Sequence, residues 1–532
     1  MDYSHLKRQD LVPFFKEMDS NNNDVQGLIR RGYKSLPAAH YLLLKITEGS
    51  EAKKYFNDLI RLFITNSDDS NPNASPNNFD KKKSVQIAFS STGLKEIGLN
   101  ENILSTFSRE FLEGMSFSYT DPDDPGKKIR ERSTLLGDVG NSDPGKWHWG
   151  NEKDPVDCVL LLYAETKNLL AKLTNDCYDT LKQGVDLVFK AETFLYNPKE
   201  DFKEHFGFKD GISKPVIRGY KKSADYEGED NLLNPGEFIL GHKNEYNNYS
   251  PSPYFDKNET NDDLDFLPGF NSKKDLGKNG SYLVFRQIEQ DIDTFFDYVF
   301  HKSKETADSP EKKAIKLAAK MFGRWPEGQS LTVCPDQPCN VKDLNDFRYR
   351  AKDEPDDFGV GCPFGAHVRR TNPRDQVHAG RGAEVSLEIS KKHRILRRGR
   401  IYGEPLDPKL KTESILEKAK SNLFQNKWKA DATGKTVLVR GIHFMCLVSD
   451  IGRQFEFIQS VWANTSSFGN LGKEVDPIIS PRPTRDQQDC HEFSTPQHVV
   501  RNRYRNVPEF TTVVGGAYFF MPGIKALKFI MR

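Results

Sequence analysis

The chain has 532 residues, 77 of them Lys or Arg and 76 Asp or Glu, for a net charge of +1. That balance provides no general attraction to nucleic acid or to an anionic membrane, and no stretch approaches the roughly 18 consecutive apolar residues of a membrane helix. Residues 1–10 (MDYSHLKRQD) lack the apolar centre of a secretion signal, so a soluble, cytoplasmic protein is expected, long enough for two domains or one duplicated one.

Seven cysteines, an odd number, fit reduced thiols better than a disulfide framework. Cys334 and Cys339 in CPDQPC could be half of a zinc site, but Cys362, Cys490 and His491 are too scattered to complete four ligands, and zinc is not expected.

In chain order, residues 1–23 are polar and read as an N-terminal extension. Residues 41–46 (YLLLKI) predict a strand and 51–63 a helix, with Tyr55, Phe56, Leu59, Ile60 and Phe63 at helical spacing. A strand followed by a helix is half of a ferredoxin-like unit. Residues 66–84 read as a solvated loop, and the strand-helix pattern repeats over 85–99 and 159–173. From about 220 to 279 periodicity is lost among Asn, Asp, Gly and Pro, which predicts a long connection. The opening pattern then returns, with a strand over 281–287 and a helix over 291–300. Ser309 and Pro310 start a helix over 311–322 that Gly323 ends, and 437–450 and 451–462 give another strand and helix. The echo predicts two related α+β halves.

Three stretches carry chemistry. Residues 361–374 (GCPFGAHVRRTNPR) place His367 after a stiff, small-residue approach, as an axial ligand of haem iron requires. Gly361, Gly365 and Ala366 would let a flat macrocycle close to the backbone, and Arg369, Arg370 and Arg374 could meet its propionates. The plainer reading is a loop histidine beside a basic surface. Asp210 lies between Gly207 and Gly211, in a turn suited to a planar cofactor, and a simple turn aspartate is its alternative. Arg397 and Arg398 follow in ILRRG (395–399), and the residues alone leave both open.

These three segments, in this order, resemble the dye-decolourising peroxidases, a haem peroxidase family. The resemblance covers most of the chain and implies a dimeric α+β barrel architecture built of two ferredoxin-like domains. It would place a first domain at 24–219 carrying the Asp210 loop, a connection at 220–280, and a haem-binding domain at 281–532. It also implies one haem b per chain ligated by His367, with Asp210 shuttling a proton and Arg397, first of its pair, stabilising charge. Gly207, Gly211 and Arg369 would contact the cofactor. Ile442 and Phe444, two apart and so on one strand face, would line the distal pocket, with core packing as the alternative. A carboxylate behind the histidine should orient it, Glu456 first and Asp450 second, unless either simply pairs with Arg453.

The expected function is a hydrogen-peroxide-dependent oxidation of bulky aromatic donors, dyes and phenols, through a ferryl intermediate, with no nucleic-acid or membrane partner and a homo-oligomer left open. Donors too large for the pocket would react at surface aromatics such as Trp325 or Trp428. Residues 377–388 read as an extra loop near the haem entrance, and 525–532 as a core element rather than a docking peptide. A haem-binding protein without turnover would need only His367, so the presence of both Asp210 and Arg397 favours the enzyme.

Overall fold

Alternating apolar residues, buried on both faces, assemble the strands of both halves into one nine-stranded sheet. The computed structural model describes residues 23–68, 80–121, 124–195, 203–220, 228–257, 263–303, 310–350, 355–377, 380, 382–404, 429–430, 436–437, 440–482, 491–497 and 499–532. The first half contributes β1 (Ala38–Ile46), β2 (Lys83–Phe89), β3 (Cys158–Ala164) and β4 (Val185–Phe194). The second contributes β5 (Ser281–Gln290), β6 (Leu396–Arg397), β7 (Arg400–Tyr402), β8 (Gly441–Val448) and β9 (Thr511–Met521).

Both halves have the same strand order. In the first it is β4-β1-β3-β2, and in the second β9-β5-β8 with β6 and β7 both on the free edge of β8. Fourth, first, third and second strand, all antiparallel, is the ferredoxin-like arrangement. The halves join where β9 pairs with β2 at Phe520 and Phe89. At the far edges the Thr193 hydroxyl donates to the Ile401 carbonyl.

The period of two divides each strand between two cores. Leu42, Leu160, Val284 and Cys446 face the helical layer, which includes α1 (Gly49–Leu62) and α2 (Lys167–Thr174). Tyr41, Leu161, Phe285 and Met445 face an inner core shared by both halves, where Tyr41 meets Phe285 edge to face at 5.8 Å. A third cluster packs α3 (Ile292–Ser303) and α4 (Pro310–Phe322) against Cys362 and Ala366, and so supports the approach to His367.

Several expectations change. The described residues from 220 to 279 form short elements, but Phe238 and Ile239 enter the inner core and Leu240, Phe255 and Leu276 the helical one. Residues 452–463 wind with wide, π-type turns. In place of an extra loop, Ala383–Lys391 is a helix burying Ser386, Leu387 and Ser390. The expectation of reduced thiols fails at Cys334 and Cys339, which a tight turn brings to a Cα separation of 5.7 Å as a disulfide. Cys158, Cys177, Cys362 and Cys446 are buried free thiols. The C-terminal stretch is a core helix, Ile524–Ile530, as expected.

Because Phe285 touches Tyr41 of the other half as well as Trp149 and His443, Phe285→Ala should cost roughly 3–5 kcal/mol. Guanidinium unfolding followed by tryptophan emission should show both halves weakened in one transition.

Candidate active site

A cavity of about 270 Å3 lies between the helix-facing side of the second half's sheet and the segments bearing His367 and Phe455. Strand register builds the sheet wall. Arg397 is paired with Cys446 and Arg286 with Phe444, so these side chains share one face, and Ile442 lies two residues from Phe444 on the same face. Ile442 and Phe444 both line the cavity. His443 points the opposite way, stacked on Tyr402 at 4.4 Å, where burial pushes its pKa down to about 3.

Asp210 reaches the cavity from a loop fixed by its own residues. Gly207 and Gly211 take positive φ, 87° and 76°, which a Cβ would disfavour. The Glu204 carboxylate accepts from the N–H groups of Phe206 and Phe208 at 2.9 Å each, and burial pushes that carboxyl up to about 7. Gly211 is on the cavity wall, whereas Gly207 serves the turn behind it.

Arg397 Nη1 donates to Asp210 Oδ1 at 2.9 Å. About a third of each side chain is exposed, 33% and 32%, and both line the cavity. Burial would raise the Asp210 pKa, but the charges of Arg397 and Lys214 and the Gly211 N–H outweigh it and hold the carboxyl below its ordinary value. Arg398 is buried and donates to the carbonyls of Leu28 and Ile29 at 2.6 Å each. Of the two neighbouring arginines, the cavity therefore receives Arg397.

On the opposite wall His367 opens the short helix α5 (His367–Thr371). Its Nδ1 is 2.9 Å from Asp476 Oδ2, leaving Nε2 for the cavity. Asp476 is fully buried, and its other oxygen accepts from the N–H groups of Ile478 and Ile479 at 2.8 and 3.1 Å. Burial works to raise the Asp476 pKa, but the His367 ring and these bonds hold it low.

The expected partners of His367 are elsewhere. Glu456 pairs with Arg132 and accepts from the Tyr518 hydroxyl at 2.9 Å, while Asp450 pairs with Arg453. Asp476, in EVDP, offered only a turn signal, and nothing local tied it to a histidine 109 residues away.

The motif arginines also serve the scaffold. Arg369 donates to Asp356 and Gln376, Arg370 to the carbonyls of Trp462 and Thr465, and Arg374 to those of Asn345 and Phe347. All three are buried away from the wall, and the cations on it are Lys209, Lys214, Arg286, Arg324, Arg394 and Arg397.

The small residues before His367 are likewise there for protein packing. A Cβ at Gly365 would lie 2.9 Å from Glu474 Oε2, one at Gly361 3.1 Å from the Leu331 carbonyl, and Ala366 is in the third core cluster. Trp325 is buried beneath the Cys334 carbonyl rather than at the surface, and Trp428 lies outside the described residues.

A carboxylate-backed imidazole on one wall can bind a metal centre, and a carboxylate-guanidinium pair on the other can move a proton and stabilise negative charge. Among the described residues no cluster of three or more His, Cys, Asp or Glu could hold a bare metal ion, so a metal on His367 would need a prosthetic group for its other ligands.

No family model matches the chain. Single relatives do. A dye-decolorizing peroxidase of Mycetinis scorodonius, msp1, is 26% identical over 461 residues, 84% of this chain and 76% of that one. The multifunctional dye peroxidase DyP2 of Amycolatopsis is 27% identical over 394 residues, 73% of this chain and 74% of that one. A solved dye-decolorizing peroxidase in complex with 2,6-dimethoxyphenol superimposes with a TM-score of 0.66 at 22% identity, covering 96% of this chain and 99% of that one. The chain is thus similar to dye-decolorizing peroxidases over most of its length. Among the described residues no helix is long and apolar enough to cross a membrane.

Removing the Asp476 carboxylate leaves three donors without an acceptor. Asp476→Ala should therefore cost roughly 2–4 kcal/mol in urea unfolding, and Asp476→Asn, which can retain the two amide bonds, clearly less.

Proposed function

We propose that this dye-decolorizing-type peroxidase binds haem b through His367 Nε2, reduces hydrogen peroxide, and oxidises bulky aromatic donors, dyes and phenols. The observation that carries the reading is the Asp210–Arg397 pair facing the same cavity as His367. A protein that only bound haem would need neither.

The chain's residues fit the cofactor. His367 offers one nitrogen to the cavity, and Asp476 behind it fixes the ring's orientation and raises its donor strength. Ile442, Phe444, Phe322 and Phe455 give apolar surfaces for the macrocycle. Arg324, which donates to the Gly328 and Leu344 carbonyls and the Ser213 hydroxyl, is a cation suited to a propionate. When bound, the haem would supply the iron and the electrons for cleaving peroxide.

The protein's own part is proton and charge management. Asp210, held ionised, accepts the proton from the near peroxide oxygen and returns it to the far one as water leaves. Arg397 orients Asp210 and places fixed donors where negative charge develops. The solved relative bound to 2,6-dimethoxyphenol supports phenols as donors. The reading is tested by a visible spectrum of the purified protein before and after peroxide, then by oxidation of an anthraquinone dye.

Replacing Arg397 by Leu should leave haem bound yet slow the peroxide-dependent spectral change by roughly two to three orders of magnitude. If Arg398→Leu alone had that effect, the two arginines would have to exchange roles.

The pH dependence follows from the sign of the Asp210 shift. A lowered pKa keeps the carboxylate a base to more acid pH than a free aspartate, whose value is about 3.9. In stopped-flow experiments the rate should hold from neutrality down past about pH 4 and fall only below it, and Asp210→Asn should abolish that limb. A limb near 6.5, histidine's ordinary value, would contradict the assignment.

A further inference from the structure

The cavity carries a second carboxylate-guanidinium pair that the proposed chemistry leaves unused. Asp138 and Arg286 both line it, are only 2% and 3% exposed, and are joined from Arg286 Nη2 to Asp138 Oδ1. Their bonding is incomplete, because Asp138 Oδ2 and Arg286 Nε are buried without a hydrogen-bond partner. Buried polar atoms normally find a partner, and an open acceptor and an open donor on one ion pair point to a ligand.

Position and surroundings narrow that ligand. Arg286 is on β5 and Arg397 on β6, the two strands flanking β8 and offset by two residues along it, so the pairs share one wall at a backbone distance of about 12 Å. The Arg286 guanidinium lies 5.8 Å from the centre of the Phe455 ring, and Leu136 and Val513 are on the same cavity surface. An anion would be opposed by Asp138, a cation by Arg286, and a large polar group by these apolar neighbours.

We infer that Asp138 and Arg286 form a second polar subsite, which holds a small protic molecule by accepting a hydrogen bond at Oδ2 and donating one from Nε, with hydrogen peroxide the reactant that uses it and water its competitor. The subsite rests on the peroxidase reading and deepens it. Peroxide held there is concentrated on the wall that bears Arg397 before it reaches Asp210, and no bond is made or broken at the subsite itself.

The test uses the haem-loaded protein. In wild type the rate of the peroxide-dependent spectral change should saturate with peroxide. Asp138→Asn removes the acceptor, and Arg286→Lys keeps the charge but removes Nε–H. Each should raise the half-saturating concentration roughly ten- to a hundredfold, with a smaller change in limiting rate. Folding of both is checked by the Soret band.

A second arm soaks crystals of Arg397→Leu, in which peroxide survives longer, and expects two-atom density between Oδ2 and Nε where the peroxide-free crystal has a single water. Unchanged half-saturation in both variants, or a water that peroxide does not displace, overturns the subsite. A wild-type haem spectrum that ignores peroxide overturns the peroxidase reading itself.

Discussion

The alternation of side chains along β8 forces one short strand to serve two interiors. His443, Met445 and Leu447 belong to the core between the halves, while Ile442, Phe444 and Cys446 face the helical layer and the cavity. A shift of one residue in its pairing would exchange the two sets, placing a histidine in the cavity and two apolar side chains against Tyr41 and Tyr402. The pairings of β8 with β5, β6 and β7 fix that register from both edges.

Charge inside the protein is held by the same scaffold. Arg132 bonds to both Glu456 and Glu113, and Glu456 accepts from Tyr518, which ties the wide-turned segment bearing Phe455 to β9. Such buried sets are sensitive because loss of one member strands the others in a poor solvent for charge. Other buried guanidiniums donate to carbonyl oxygens instead. Arg370 and Arg398 are of this kind, and burial pushes each down to about 10.

Much of this was legible before the fold was known, and the limits have physical causes. The repeated strand-helix order anticipated two related halves because hydrophobic period is local. Ile442 and Phe444 were placed on one face by alternation alone. Partners of buried charges are a different matter. Asp476, Asp138 and Arg286 meet their neighbours through contacts more than a hundred residues long, and no local pattern selects one carboxylate over another. Arg369, Arg370 and Arg374 were misread for the same reason, since a run of cations looks alike whether it meets a ligand or backbone carbonyls. Gly361 and Gly365 show that a missing Cβ can make room for the protein's own atoms rather than for a cofactor.

The sequence separation of 187 from Asp210 to Arg397 also orders events during synthesis. At a typical elongation rate of about 5–20 residues per second, Asp210 leaves the ribosome on the order of 10–40 s before its counterion exists. β8, on which Arg397 is anchored, comes later still, and β9, which joins the halves, comes last. The nascent first half therefore carries an aspartate without its arginine partner on an unfinished wall, and the constellation closes only when the final strand is in place.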